Sequence, residues 1–89
     1  PTTWQVEHNS AGDSLAADWS ITDGAGRVVW AAEWSGLATS SVLQAPEWTG
    51  TNTQGTPLND GWFIARVVVR RVKDNQVVRR AERLILLRP

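Results

Sequence analysis

The sequence predicts a single all-β domain, a sandwich of six or seven short strands, and three observations carry that prediction. Apolar residues recur at every second position, as in "LAADWSIT" at residues 15–22, which is the period of a strand with one buried face. Clusters of Gly, Asp, Asn and Ser fall between such runs and supply the turns. No segment keeps a 3.6-residue apolar period long enough for a helix of ordinary length; "APEWTG" at residues 45–50 offers one turn at most. Residues 1–89 show no linker, no internal repeat and no second domain. A chain of this size buries only about 60–65% of its unfolded surface, so its core must be dense. Six tryptophans, beside one Phe and no Tyr, provide the bulk.

The elements follow in order. "TWQVEH" at residues 3–8 is the first strand, closed by the polar turn "HNSAGDS". In the second, residues 15–22, Leu15, Ala17, Trp19 and Ile21 share the buried face, and Ala16, Asp18, Ser20 and Thr22 the other. "DGAG" at residues 23–26 is a turn, because Gly adopts positive φ and Asp bonds its own backbone. "RVVWAAEW" then places Val28, Trp30, Ala32 and Trp34 in phase, so the two runs form a hairpin. "SGLATSS" is a loop, and "SVLQA" at residues 41–45 is a short strand stopped by Pro46, which cannot donate to a central ladder. Two long strands at residues 62–71 and 77–88 flank "KDNQ" as a second hairpin. In the first of them Phe63, Ala65, Val67 and Val69 face the core, while Trp62, Ile64, Arg66, Val68 and Arg70 face outward.

Catalytic chemistry finds little to work with. There is no cysteine, hence no disulfide, thiol nucleophile or thiolate cluster. His8 is the only histidine and sits at a strand-to-turn junction, where it reads as a structural side chain rather than the base of a triad. Asp13, Asp18 and Asp23 recur every fifth residue. That spacing alternates strand faces and gives solvated turn acids rather than a paired-carboxylate site. One His and no Cys argue against zinc, and "TNTQGTPLNDG" offers calcium only Asp60 as an anion. The expectation is a chain with no enzymatic constellation, no metal and no cofactor. Trp19, Trp30 and Trp34 fall in core phase; Trp4, Trp48 and Trp62 are left open between packing and stacking on a sugar.

Charge is unevenly placed. Residues 1–60 carry seven Asp or Glu against Arg27 alone, and residues 61–89 carry eight Lys or Arg against Asp74 and Glu82. Arg66, Arg70, Arg71, Arg79, Arg80 and Arg83 therefore form the candidate docking face, against acidic strands of the same domain or an acidic neighbour. Nucleic acid is not expected as a partner, because arginines flanking a strand turn also serve to discourage edge-to-edge pairing. The longest apolar run, "LILL" at residues 84–87, falls far short of the ~20 residues a membrane helix needs, so no transmembrane segment is expected. The chain begins at Pro1, holds no Met and shows no signal-peptide pattern. It reads as a segment cut from a larger protein.

The loop region resembles the C-terminal half of the FlgD-like immunoglobulin domains. In that family a strand ends in Trp-Asp-Gly, an Asp-x-x-Gly turn follows, and a Gly-x-Tyr step opens the next long strand. Here Trp48-Thr49-Gly50, Asn52 to Gly55, and Gly61 with Phe63 stand in those places, and "DGAGR" matches the family's Asp-x-x-Gly-Arg hairpin at Asp23, Gly26 and Arg27. Thr49 replaces the usual Asp and Phe63 the usual Tyr. Within the family the sequence is most similar to the C-terminal domains of the gingipain-like cysteine peptidases that serve as sortases of the type IX secretion system. "HNSAGDSL" at residues 8–15 is similar to their opening His-Asn-x-x-Gly-Asp-x-Leu, "GRVVW" to their hairpin strand and "ERLILLRP" to their chain end.

This resemblance implies an immunoglobulin-like β-sandwich of about seven strands, residues 1–89, forming the C-terminal accessory domain of a larger enzyme. The parent would act at the extracellular side of the outer membrane, removing C-terminal sorting signals from exported proteins. Its catalytic Cys and His would belong to a preceding domain. The implied partners are that catalytic domain or outer-membrane secretion proteins. Two rivals stand beside this reading. A cargo sorting domain would share the hairpin, but its usual Tyr-Pro-Asn-Pro is missing here; a carbohydrate-binding module would use the tryptophans.

Overall fold

The computed structural model describes residues 4–88. Six strands follow one another: β1 (Gln5–Glu7), β2 (Ser14–Thr22), β3 (Val28–Leu37), β4 (Val42–Gln44), β5 (Gly61–Arg71) and β6 (Gln76–Leu87). β3, β2, β5 and β6 form one antiparallel sheet in that order, and β1 pairs with β4 in a second. The chain is all-β, with no helix among the described residues. "APEWTG", the one place where a helical turn was conceivable, is irregular.

The two sheets are held together by side chains that the period-2 pattern aims inward. Val6 of β1 and Leu43 of β4 meet Leu15, Ala17 and Trp19 of β2 and Val67 and Val69 of β5 in one buried cluster. A second cluster, nearer one end, joins Ile21, Trp48, Phe63, Ala65 and Ile85. Trp4 and Trp30 pack against both. In β5 every inward position predicted from sequence is buried and every outward one is not.

The expectation for β3 needs correction at both ends. Val28 is exposed and Val29 packs on the second cluster instead, because the register slips between Ile21 and Thr22: Ile21 pairs with Trp30, yet Thr22 pairs with Val28. Val29 is the extra residue of a β-bulge, which inverts the faces beyond it. Trp34 has the inward phase, opposite Ala17, but is 36% exposed. β3 is an edge strand, and the two-stranded sheet is too narrow to cover it. β3 also runs on to Leu37 through residues expected to be loop.

Candidate docking surface

Two loops at one end of the sandwich are built by the same chemistry. In the first, the Asp23 carboxylate accepts hydrogen bonds from the backbone N–H groups of Ala25 and Arg27, each at 3.0 Å. The N–H of Gly26 donates to the Asp23 carbonyl at 3.0 Å, and the N–H of Asp23 to the Arg27 carbonyl at 2.9 Å. In the second, Asn52 Oδ1 accepts from the N–H groups of Gln54 and Thr56 at 3.0 and 2.9 Å. There the N–H of Gly55 donates to the Asn52 carbonyl at 3.0 Å and that of Asn52 to the Thr56 carbonyl at 2.8 Å. Gly26 and Gly55 have φ of 82° and 86°, the left-handed region where a Cβ would be strained. The pattern Asp/Asn-x-x-Gly is thus a turn-building device, its side-chain oxygen holding two N–H groups that a loop would otherwise leave to water.

At Asp23, the Arg27 backbone N–H does most to hold the carboxyl below its usual range, and the Arg27 side chain contributes too. Asn52 achieves the same turn without charge. Replacing Asn52 with alanine is therefore expected to cost about 1–2 kcal/mol, the worth of two modest hydrogen bonds, whereas Asn52→Asp should be nearly neutral. Chemical denaturation of the two variants checks this.

Around those turns the tryptophans separate. Trp48 is 3% exposed, its Nε1 donates to the Thr51 carbonyl at 2.7 Å, and its ring meets Phe63 edge-on at 5.5 Å. It closes the end of the core and has no face left for a sugar. Phe63, where the FlgD-like domains that the sequence resembles carry Tyr, is buried and needs no partner for a hydroxyl. Thr49 is exposed. Trp62, by contrast, is 55% exposed and borders an open cleft of about 470 Å³ with Asp23, Arg27, Leu58 and Asp60. His8 is buried and its Nδ1 accepts from the Ser10 N–H at 3.1 Å, a turn role. Among the described residues no three His, Asp or Glu side chains converge as metal ligands.

The arginines of the candidate docking face do not share one face. Strand alternation sends Arg66, Arg70 and Arg80 outward and Arg79 and Arg83 to the side of the β1–β4 sheet, since Val68 pairs with Arg80 but core-facing Val69 and Ala65 pair with Arg79 and Arg83. Arg71 lies at the turn, where its guanidinium holds the Asp74 carboxyl below its usual range. Arg66 pairs with Glu82 across the hairpin at 3.0 Å. These pairs are local to the β5–β6 hairpin, not bridges to the acidic strands. The arrangement that results is an open side of the sandwich. Among the described residues β1 and β6 each have a backbone edge with no ladder neighbour, and a groove of about 310 Å³ between them is lined by Gln5, Glu7, Val42 and Arg79.

Sequence reading did not find the apolar character of the outer sheet face. Val28, Leu37, Trp62, Val72 and Leu84 are five of the seven large exposed hydrophobic residues. Register places all five on the outer face of the four-stranded sheet or at its ends. For Leu84 a signal was present, since it alternates with buried Ile85; for Val28 the bulge concealed it. No helix among the described residues is long and apolar enough to cross a membrane. Comparison with known proteins finds no matching family model, no matching curated protein and no matching solved structure.

Proposed function

We propose that this chain is a non-catalytic docking domain with an immunoglobulin-like fold, the C-terminal accessory domain of a type IX secretion sortase-like cysteine peptidase. In that role it packs against the catalytic region of its parent, or against an outer-membrane secretion partner, at the extracellular side of the outer membrane. The observation that supports the reading is the role of the residues carrying the resemblance. Asp23, Gly26, Asn52 and Gly55 form the paired turns, His8 bonds the turn after β1, and Trp48 and Phe63 close the core. The likeness therefore rests on positions that determine the fold, not on composition.

Docking is assigned to the open side of the sandwich, where Arg79 and Arg83 stand along the free edge of β6 beside β1. A cationic strand edge without a ladder neighbour among the described residues suits an acidic strand or loop of the partner. Between the separately expressed domain and catalytic region, reversing both charges with Arg79→Glu and Arg83→Glu is expected to weaken association about tenfold or more. Isothermal titration of the separately expressed pieces reads this directly. Unchanged affinity in the double variant would remove the docking assignment.

A further inference from the structure

The outer face of the four-stranded sheet has a charge layout that makes it complementary to itself. Read across the sheet in the order β3, β2, β5, β6, its middle row is Glu33, Asp18, Val68, Arg80. Two carboxylates stand side by side at one flank and a guanidinium at the other. Arg70, one row further along β5 on the same face, adds to the basic flank. Neither arginine makes an ion pair among the described residues, nor do the two acids. Like charges directly opposite in a sheet are destabilising, so Glu33 beside Asp18 is a cost the isolated domain carries without an intramolecular counter-ion.

The adjacent rows are Ala31, Ser20, Arg66 and Glu82 on one side, where Arg66 and Glu82 neutralise each other in an ion pair, and Ser35, Ala16, Arg70 and Val77 on the other; beyond them the ends of the face are apolar. One end carries Val28, Leu84 and Trp62, the other Leu37 and Val72, all more than half exposed. Apolar ends flanking a polarised centre make the layout of a protein contact, not of a solvated sheet.

We infer that two copies of this domain pair through these outer faces, related by a two-fold axis parallel to the strands. Such an axis exchanges the two flanks while keeping each end over its own counterpart. Glu33 of one copy then meets Arg80 of the other, twice over, and the Trp62 end lies on the Trp62 end. The pairing is an aligned stack of two twisted sheets. Four strands about 4.8 Å apart and some ten residues long at about 3.3 Å each give a face of roughly 600 Å². Two such faces bury about 1,200 Å², the lower bound of a stable specific interface. A second copy supplies what the face lacks, acid for base and apolar end for apolar end.

The experiment uses the isolated 89-residue chain and sedimentation equilibrium up to about 100 µM, a range that captures micromolar association. The unaltered domain is expected to dimerise. Glu33→Lys alone and Arg80→Glu alone should each weaken the dimer about tenfold or more, because each places like charges together twice. An equimolar mixture of the two variants is expected to associate again. At one contact the lysine introduced into the first variant meets the glutamate introduced into the second; at the other, the retained Arg80 of the first meets the retained Glu33 of the second. The two positions lie on opposite edge strands, so no contact within one copy explains recovery on mixing. Circular dichroism confirms that each variant is folded. A monomer at the highest concentration would overturn the inference, and so would a dimer indifferent to both charge reversals or a mixture that fails to reassociate.

Discussion

Replacing Trp48 with alanine is expected to destabilise the domain by about 3–5 kcal/mol, the range for removing a buried Trp. Three losses combine at this position. The indole is 3% exposed and fills the second core cluster with Ile21, Phe63, Ala65 and Ile85. Its edge-on contact with Phe63 is worth about 0.5–1.5 kcal/mol beyond area. Its Nε1–H ties down the Thr51 carbonyl, where the 51–57 loop begins with the isolated Thr51–Pro57 bridge. The cavity cannot collapse easily, because the ring packs on Ile21, Phe63, Ala65 and Ile85 of β2, β5 and β6, whose backbones are fixed by their ladders. Trp62→Ala, on the outer face, should change the stability of the monomer by no more than about 0.5 kcal/mol. Urea unfolding of both variants tests the assignment. Equal effects would mean that the two tryptophans do not divide between core and surface as described.

Much of the fold is legible in the sequence because a strand's period is short and its errors are local. β5 follows its alternation residue by residue and β2 does so as far as Ile21, Thr22 of the outer face being buried as well; both are central strands with neighbours on each side that hold the register. β3 follows its pattern only in the middle. A bulge costs one residue in sequence and inverts a face, and nothing in "RVVW" announces it. Trp34 shows a different limit: phase gives the side a residue points to, but coverage depends on the width of the opposing sheet, which is set by residues far away in the chain.

The docking surface was less legible for the same reason. Six arginines within residues 66–83 look like one basic patch along the chain, yet alternation splits any such run between the faces of a hairpin. What the run does specify is a cationic edge, because β6 ends the sheet. The turns were legible down to single atoms in one case, Asp23, whose residue type announces an Asx turn. Asn52 does the same work from a stretch so rich in polar residues that only the family resemblance places a turn there, and the hydrogen bonds show the oxygen that builds it.

Leu15→Ala is the second large effect, expected to cost about 2.5–5 kcal/mol. Leu15 is fully buried at the start of β2, between Gly36 of β3 and Arg71 of β5. Ladder hydrogen bonds fix it on both sides, and Val6 and Leu43 of the small sheet close over it. Next along its own face stands Ala17 and opposite it Gly36, so the only bulky ring beside the vacated volume is that of Trp34, which lies over Gly36 from a ladder-fixed position in β3. Residual cavity, and not only lost transfer energy, therefore sets the cost. A domain of 89 residues has a total stability of roughly 4–13 kcal/mol at the usual 0.05–0.15 kcal/mol per residue, so this one side chain carries a large share of it. The contrast is Leu37, at the far end of β3 and 60% exposed, whose truncation in the monomer should fall within about 0.5 kcal/mol. Urea denaturation separates them: the midpoint should drop for Leu15→Ala with the slope unchanged, and should stay in place for Leu37→Ala. A loss below about 1 kcal/mol at Leu15 would mean that the two-stranded sheet does not close over β2, and the sandwich would lose its main seam.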